Sequence, residues 1–187
     1  MGRWAPGATG RLVESALELY HERGFDQTTV AEIAARAGLT ERTFFRHFAD
    51  KREVLFAGSG TLFERVVAAV TDAPPGATPF DAVAAGLDAA ATVIGDRREF
   101  SRQRQAVIAA NPALQERELS KLASLAAAMA DALGARGVPA STAALASEAG
   151  MAVFKVAFGR WVADGTTGTL PEVVRDAMDE LRVAVAD

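Results

Sequence analysis

Cysteine is absent from this 187-residue chain, so disulfides and thiolate metal sites are excluded. Histidine is nearly absent: His21 and His47 are the only two, and they stand far apart. There is no HExxH pair, no GxSxG elbow and no glycine-rich phosphate loop after a strand, and the glycines are scattered rather than patterned. No convergent set of polar groups can be assembled, so the chain reads as a non-enzyme with no catalytic residue, metal or cofactor. Long apolar runs are also missing. The opening MGRWAPGATGR has no apolar segment of the signal type, and no later run is expected to reach membrane-spanning length. A cytoplasmic protein without a membrane partner is the expectation. The period-two alternation of strands is absent and alanine dominates, which leaves an all-α fold.

What is present is apolar mass and a local pattern of charge. Half of the residues are hydrophobic, enough for a substantial core, and the length suits one small and one larger domain. The net charge of −4 is unevenly spread. Residues 1–56 hold eight basic against eight acidic side chains, and the remainder twelve against sixteen. The first part is thus relatively basic, and Arg42, Arg46 and Lys51 form the local cluster that phosphate contact requires.

The stretch from Thr28 to Lys51 carries the most information. Thr29 and Glu32 have capping-box spacing, and Val30, Ile33, Ala34 and Ala37 recur at helical spacing behind them. Gly38 stands where a helix stop needs left-handed backbone, and Thr40 can cap a second short helix reaching about His47. Two short helices joined by such a turn make a helix-turn-helix. At about 100° per residue, Phe44, Phe45 and Phe48 cluster on one side of the second helix, with Arg42, Thr43, Arg46 and His47 largely opposite. Guanidiniums, a hydroxyl and an imidazole can bond to base edges and phosphates in a major groove. Asp50 and Glu53 form another capping pair, placing Lys51 at the start of a helix, where its ammonium can hold a phosphate. The plain alternative is an amphipathic hairpin that only looks like a DNA reader, with His47 as a core-edge histidine.

In this stretch the chain resembles the DNA-binding domain of the tetracycline-repressor (TetR) family. The matching residues are Thr28-Thr29-Val30, Ile33-Ala34, Ala37-Gly38-Leu39-Thr40, Thr43-Phe44-Phe45, His47-Phe48 and Lys51. The resemblance implies DNA-binding roles for Thr28, Thr29, Thr40, Arg42, Thr43, Phe45, Arg46, His47 and Lys51. Arg42, Thr43 and Arg46 are the expected base readers; Thr28, Thr40, His47 and Lys51 are expected on phosphates. One departure stands out: the family often has Tyr where Phe45 lies, and phenylalanine keeps the packing but cannot bond a phosphate. Glu41, acidic on the reading helix, is a second feature that leaves the operator open.

Taken in order, residues 1–10 are rich in Gly and Pro and read as a flexible arm, with Arg3 and Arg11 able to reach DNA. A helix from Arg11 to Arg23 should pack Val13, Ala16, Leu17 and Tyr20, with Phe25, against Ile33, Phe44 and Phe48. A reading domain over 1–50 then gives way to a helical effector-binding and dimerisation domain over 51–187. A long helix is expected from Asp50 to about Thr71, weakened at Gly58 and Gly60, followed by the loop DAPPGATP. Helices from Pro79 to Gly95, Arg97 to Ala110, Pro112 to about Gly134, Ser141 to about Asp164, and one capped at Thr169–Glu172 complete a count of nine.

The stretch Leu145–Val162 is apolar almost all round, and the last helix places Val173, Val174, Ala177, Met178 and Leu181 on one stripe. The resemblance implies that these two helices pair with a second copy. Val153, Val156, Val174, Met178 and Leu181 are then the interface candidates, with ordinary monomer core as the alternative. It also implies a small hydrophobic or amphiphilic effector. Phe100, Arg104, Val107, Ile108, Phe154, Phe158 and Trp161 are candidate lining residues, although aromatics at helical spacing are more often core. Arg104 can meet an anionic head or pair with a nearby acid. The segment RQAVIAANPALQERELSKL resembles a branch of the family thought to bind acyl-CoA-like molecules. The expected function is a ligand-responsive homodimeric regulator on a pseudo-palindromic double-stranded operator, acting as a repressor. The alternative is an architectural DNA-binding protein without ligand.

Overall fold

The computed structural model describes residues 7–95, 97–163, 165 and 167–185. Among these residues the regular structure is nine α-helices and one 3-10 turn, with no strand. The helices are α1 (Ala8–Arg23), α2 (Val30–Arg36), α3 (Glu41–His47), α4 (Ser59–Thr71), α5 (Pro79–Ile94), α6 (Arg98–Ala109), α7 (Pro112–Ala135), α8 (Ala140–Val162) and α9 (Leu170–Ala184); the 3-10 turn is Glu53–Phe56.

The chain divides into two compact units. One holds residues up to Ser59 together with Gln103–Glu118; the other holds Gly60–Arg102 and Leu119 onward. The first unit therefore takes in the end of α6 and the start of α7, which a boundary after residue 50 does not foresee. Side-chain chemistry explains the recruitment. Arg104 Nε donates to the Leu55 carbonyl at 2.7 Å, and Arg117 Nε donates to Glu53 Oε1 at 2.5 Å.

Within the first unit, Val13, Ala16, Leu17, Tyr20, Phe25, Ile33, Phe44 and Phe48 are all buried, as the three-helix reading expects. Of the flexible arm expected over residues 1–10, Ala8 to Gly10 already belong to α1, and residues 1–6 lie outside the described residues. Arg3 lies outside the described residues.

The expected continuous helix from Asp50 to Thr71 is not formed. A single 3-10 turn forms instead, and Asp50 ahead of it accepts from the amides of Arg52 at 2.7 Å and Glu53 at 3.2 Å. The chain then breaks at Ala57 (ψ 137) and Gly58 (φ 80) before α4 starts at Ser59. Glu53–Thr71 does have the length and a mean hydropathy of 1.4 that a membrane span would show. The expectation that no run reaches that length is corrected on composition, but this segment is interrupted rather than one straight helix.

The second unit is built on α5, α8 and α9, which pack on one another around Val83, Leu87, Met151, Phe154, Trp161, Val174 and Met178. Gly150 lets α5 and α8 meet closely, since a Cβ there would run into Val83. Thr78 and Thr169 cap α5 and α9 as their sequences suggest, Thr169 in a full capping box with Glu172.

Candidate nucleic-acid interface

The helix-turn-helix forms as the residues dictate. Thr29 Oγ1 accepts from the Glu32 amide at 3.2 Å, while Glu32 Oε2 accepts from the Thr29 amide at 2.9 Å and its hydroxyl at 2.8 Å. These bonds hold the Glu32 carboxyl below the usual carboxylate range. Ala37 ends α2 and Gly38 turns the chain at φ 64, a left-handed conformation that a side chain resists. Thr40 then caps α3, its hydroxyl accepting from the Thr43 amide at 3.2 Å. Outside the motif, Arg23–Glu32 and Arg36–Glu22 ion pairs tie α1 to α2.

Only Phe44 of α3 is buried; Phe48 just beyond it is buried as well. The rest of the helix forms an outward face of Arg42, Phe45, Arg46 and His47, with Thr40 exposed before it and Thr43 half-buried. Neither Arg42 nor Arg46 has a hydrogen-bond or ion-pair partner among the described residues. Two unpaired guanidiniums one turn apart thus stand ready for an anionic partner. Phe45 is not the packing residue expected of it: it is 55% exposed and touches Phe44 only edge-on, with ring centroids 5.5 Å apart. His47 is no core-edge residue. It is exposed, and its Nδ1 lies 3.2 Å from the Thr9 hydroxyl at the start of α1. Thr9 is thereby brought to the site, although nothing local in the sequence links residues so far apart.

Three of the expected contact residues are engaged inside the protein. Thr28 is fully buried, its hydroxyl donating to the Gly24 carbonyl at 2.8 Å, so its side chain cannot meet a phosphate. Thr29 remains exposed with its hydroxyl held in the capping box. Lys51 does not point an ammonium at solvent from a helix start. Its Nζ donates to the carbonyls of Phe25 at 2.8 Å, Asp26 at 3.2 Å and Thr28 at 2.9 Å, and lies 4.4 Å from the Phe25 ring centre. The buried Tyr20 hydroxyl in turn donates to the Lys51 carbonyl at 2.6 Å, and burial, with nearby Asp50, raises that phenol's pKa. Lys51 thus clasps the α1–α2 loop through three of its backbone carbonyls.

The proposed lining residues fall into both units. Arg104, Val107 and Ile108 belong to the first, where Val107 and Ile108 are buried. Arg104 is not a lone cation. It pairs with Glu118 at 2.9 Å and lies over the Phe56 ring, and burial pulls its pKa down against that pairing. Phe100, Phe154, Phe158 and Trp161 belong to the second. Phe154, Phe158 and Trp161 make a run along α8, with centroids 6.1 and 5.8 Å apart; Trp161 is fully buried and only Phe158 of the three is partly open.

The interface candidates need a similar correction. Val153, Val174 and Met178 are buried within the single chain, so they cannot be offered to a second copy, and Leu181 is half-buried. Val156, at 51% exposed, is the one that faces out. It shares its side of α8 with Leu145, Ala152 and Gly159, a stripe that is also exposed.

Comparison with known proteins agrees with this geometry. Residues 12–57 match the model for bacterial regulatory proteins of the tetR family, and residues 77–186 match that for the MftR C-terminal domain. The regulator TcmR of Streptomyces glaucescens, described as an HTH-type transcriptional regulator, is 38% identical over 79 residues. That stretch is 42% of this chain and spans 35% of the length of TcmR. The fatty acid degradation regulator FadR from Bacillus halodurans has a similar fold, with a TM-score of 0.67 at 14% identity, covering 98% of this chain and 99% of that one. FadR from Bacillus subtilis, solved with stearoyl-CoA, gives 0.62 at 17% identity, covering 92% and 96%.

Proposed function

This chain belongs to the tetR family of bacterial regulatory proteins, and from that premise we propose that it is a homodimeric repressor released from a pseudo-palindromic operator by a small hydrophobic effector. The family is one of helix-turn-helix transcriptional regulators rather than enzymes. The observation that carries the operator reading is the outward face of α3. Arg42 and Arg46 are unpartnered there, so both guanidiniums can bond base edges or phosphates without first breaking an internal pair. Thr40, Thr43 and His47 flank them as positioning groups.

A repressor dimer must hold two such helices about 34–36 Å apart, or a multiple of that, to enter successive major grooves. The exposed stripe of Leu145, Ala152, Val156 and Gly159 on α8 is the self-complementary surface for that pairing. Release requires an effector that binds one arrangement of the dimer better than the other. Phe158, the partly open member of the Phe154–Phe158–Trp161 run, with Phe100 in the same unit, offers the apolar contact to receive it, and an acyl-CoA is the first candidate because one structural relative was solved with stearoyl-CoA.

The test is operator binding by the wild type and Phe158→Ala across a panel of fatty acyl-CoAs. Phe158 is the right position because it is partly open, whereas removing the buried Trp161 would cost about 3–5 kcal/mol of stability. Release of the wild type by one acyl length, weakened in Phe158→Ala, supports the reading. Equal release of both proteins places the ligand elsewhere, and no release by any acyl-CoA removes this effector class.

A further inference from the structure

Phe45 is the anomaly of the reading helix. Phe25, Phe44 and Phe48 of the same unit are buried, whereas Phe45 is 55% exposed. Among the described residues its ring contact is edge-on with Phe44, at an interplanar angle of 80°, which orients the phenyl without covering it. Arg42 lies three residues before it and Arg46 directly after it, and both are exposed and unpaired. An exposed apolar ring flanked by charged groups, with Glu41 one turn before it and the unpartnered Arg42 and Arg46 to one side, does not suit a protein partner's hydrophobic core, because those charges would be buried with it. It suits a polyanion whose surface offers apolar groups between its charges. In a DNA major groove that group is the C5-methyl of thymine, while the other base-edge features are hydrogen-bond donors and acceptors that a phenyl cannot answer.

We propose that Phe45 reads the 5-methyl group of a thymine at one fixed step in each operator half-site. The proposal rests on the operator reading above and deepens it by naming a base and the atom recognised. Arg42 and Arg46 hold the helix against phosphates and polar base edges; Phe45 supplies selectivity through van der Waals contact alone. Its lack of a hydroxyl is then the relevant feature, since a phenol at this position would be drawn to a phosphate instead.

The test begins with an operator recovered by the full-length protein from random duplex DNA. Each thymine is then replaced in turn by uracil, which removes the methyl and leaves every hydrogen bond of the pair intact. Binding is measured for wild type and Phe45→Ala. The exposed position allows the truncation without loss of core. One uracil position per half-site should weaken wild-type binding about fourfold, and about fifteenfold when both half-sites are changed. Phe45→Ala should bind the thymine operator less well and no longer distinguish it from the uracil form. The proposal is overturned if no uracil position affects the wild type, or if the methyl effect survives in Phe45→Ala. A Phe45→Ala loss that is equal on every duplex would mean a backbone contact and would also overturn it. Failure to recover any operator would instead defeat the operator reading itself.

Discussion

Replacing Lys51 with methionine should lower stability and leave the salt dependence of DNA binding unchanged. The ammonium satisfies the carbonyls of Phe25, Asp26 and Thr28 and sits over the Phe25 ring. Hydrogen bonds from a charged donor contribute about 1.5–3 kcal/mol each when fully buried. Lys51 is only half-buried, so freed carbonyls regain some water, and the cation–π contact adds about 0.5–1 kcal/mol. A net loss of roughly 2–3 kcal/mol follows, seen as a drop of about 5–10 °C in the melting midpoint. Operator affinity should fall because the α1–α2 loop is loosened, yet the slope of log K against log salt should stay constant. Lys51→Arg should fail in the same way although it keeps the charge, because a planar guanidinium cannot cap three carbonyls as a compact ammonium does. The assay is thermal melting alongside operator titration at several salt concentrations. A Lys51→Met protein with wild-type melting and a slope shallower by about 0.9 would identify a phosphate contact and refute the clasp.

Acid should act through the caps. The Asp50 carboxyl is held below the usual carboxylate range, first by its bond from the Arg52 side chain and then by backbone amides. Because its folded pKa is depressed, its stabilisation is complete above the ordinary carboxylate range and is lost progressively as pH falls from there through the depressed folded value. Melting midpoints should therefore decline between about pH 5 and pH 3 by more in the wild type than in Asp50→Asn. At the α8 surface, Leu145→Glu with Val156→Glu should give a folded monomer by sedimentation that binds operator weakly; a dimer of unchanged affinity for itself would place the interface elsewhere.

How much was legible in the sequence depended on the range of each interaction. The Thr29–Glu32 and Thr169–Glu172 boxes and the Gly38 turn are local, so residue types at fixed spacing sufficed to place them. The outward face of α3 was also legible, since periodicity alone separates Phe44 from Arg42 and Arg46. Other features depend on partners distant in sequence. Nothing near Lys51 announces that carbonyls from residues 25–28 will fold back onto it, and nothing near Arg104 announces Glu118. Periodicity likewise identifies an apolar stripe without saying what covers it. Val174 and Met178 recur at helical spacing because α5 and α8 bury them within one chain. Phe45 differs for a related reason: its place near Phe44 and Phe48 on a helical wheel predicts packing, yet it is exposed while both of those are buried.

The central claim is that the outer face of α3 reads DNA through Arg42 and Arg46. Its most direct test is selection of random duplexes by the wild type and by Arg42→Ala, with both recovered sets sequenced. The wild type should yield a two-fold symmetric consensus. In Arg42→Ala the preference should be relaxed at one base of each half-site, with a loss of about 1–3 kcal/mol on the parent operator. An identical consensus from both proteins, or no consensus from the wild type, would contradict it.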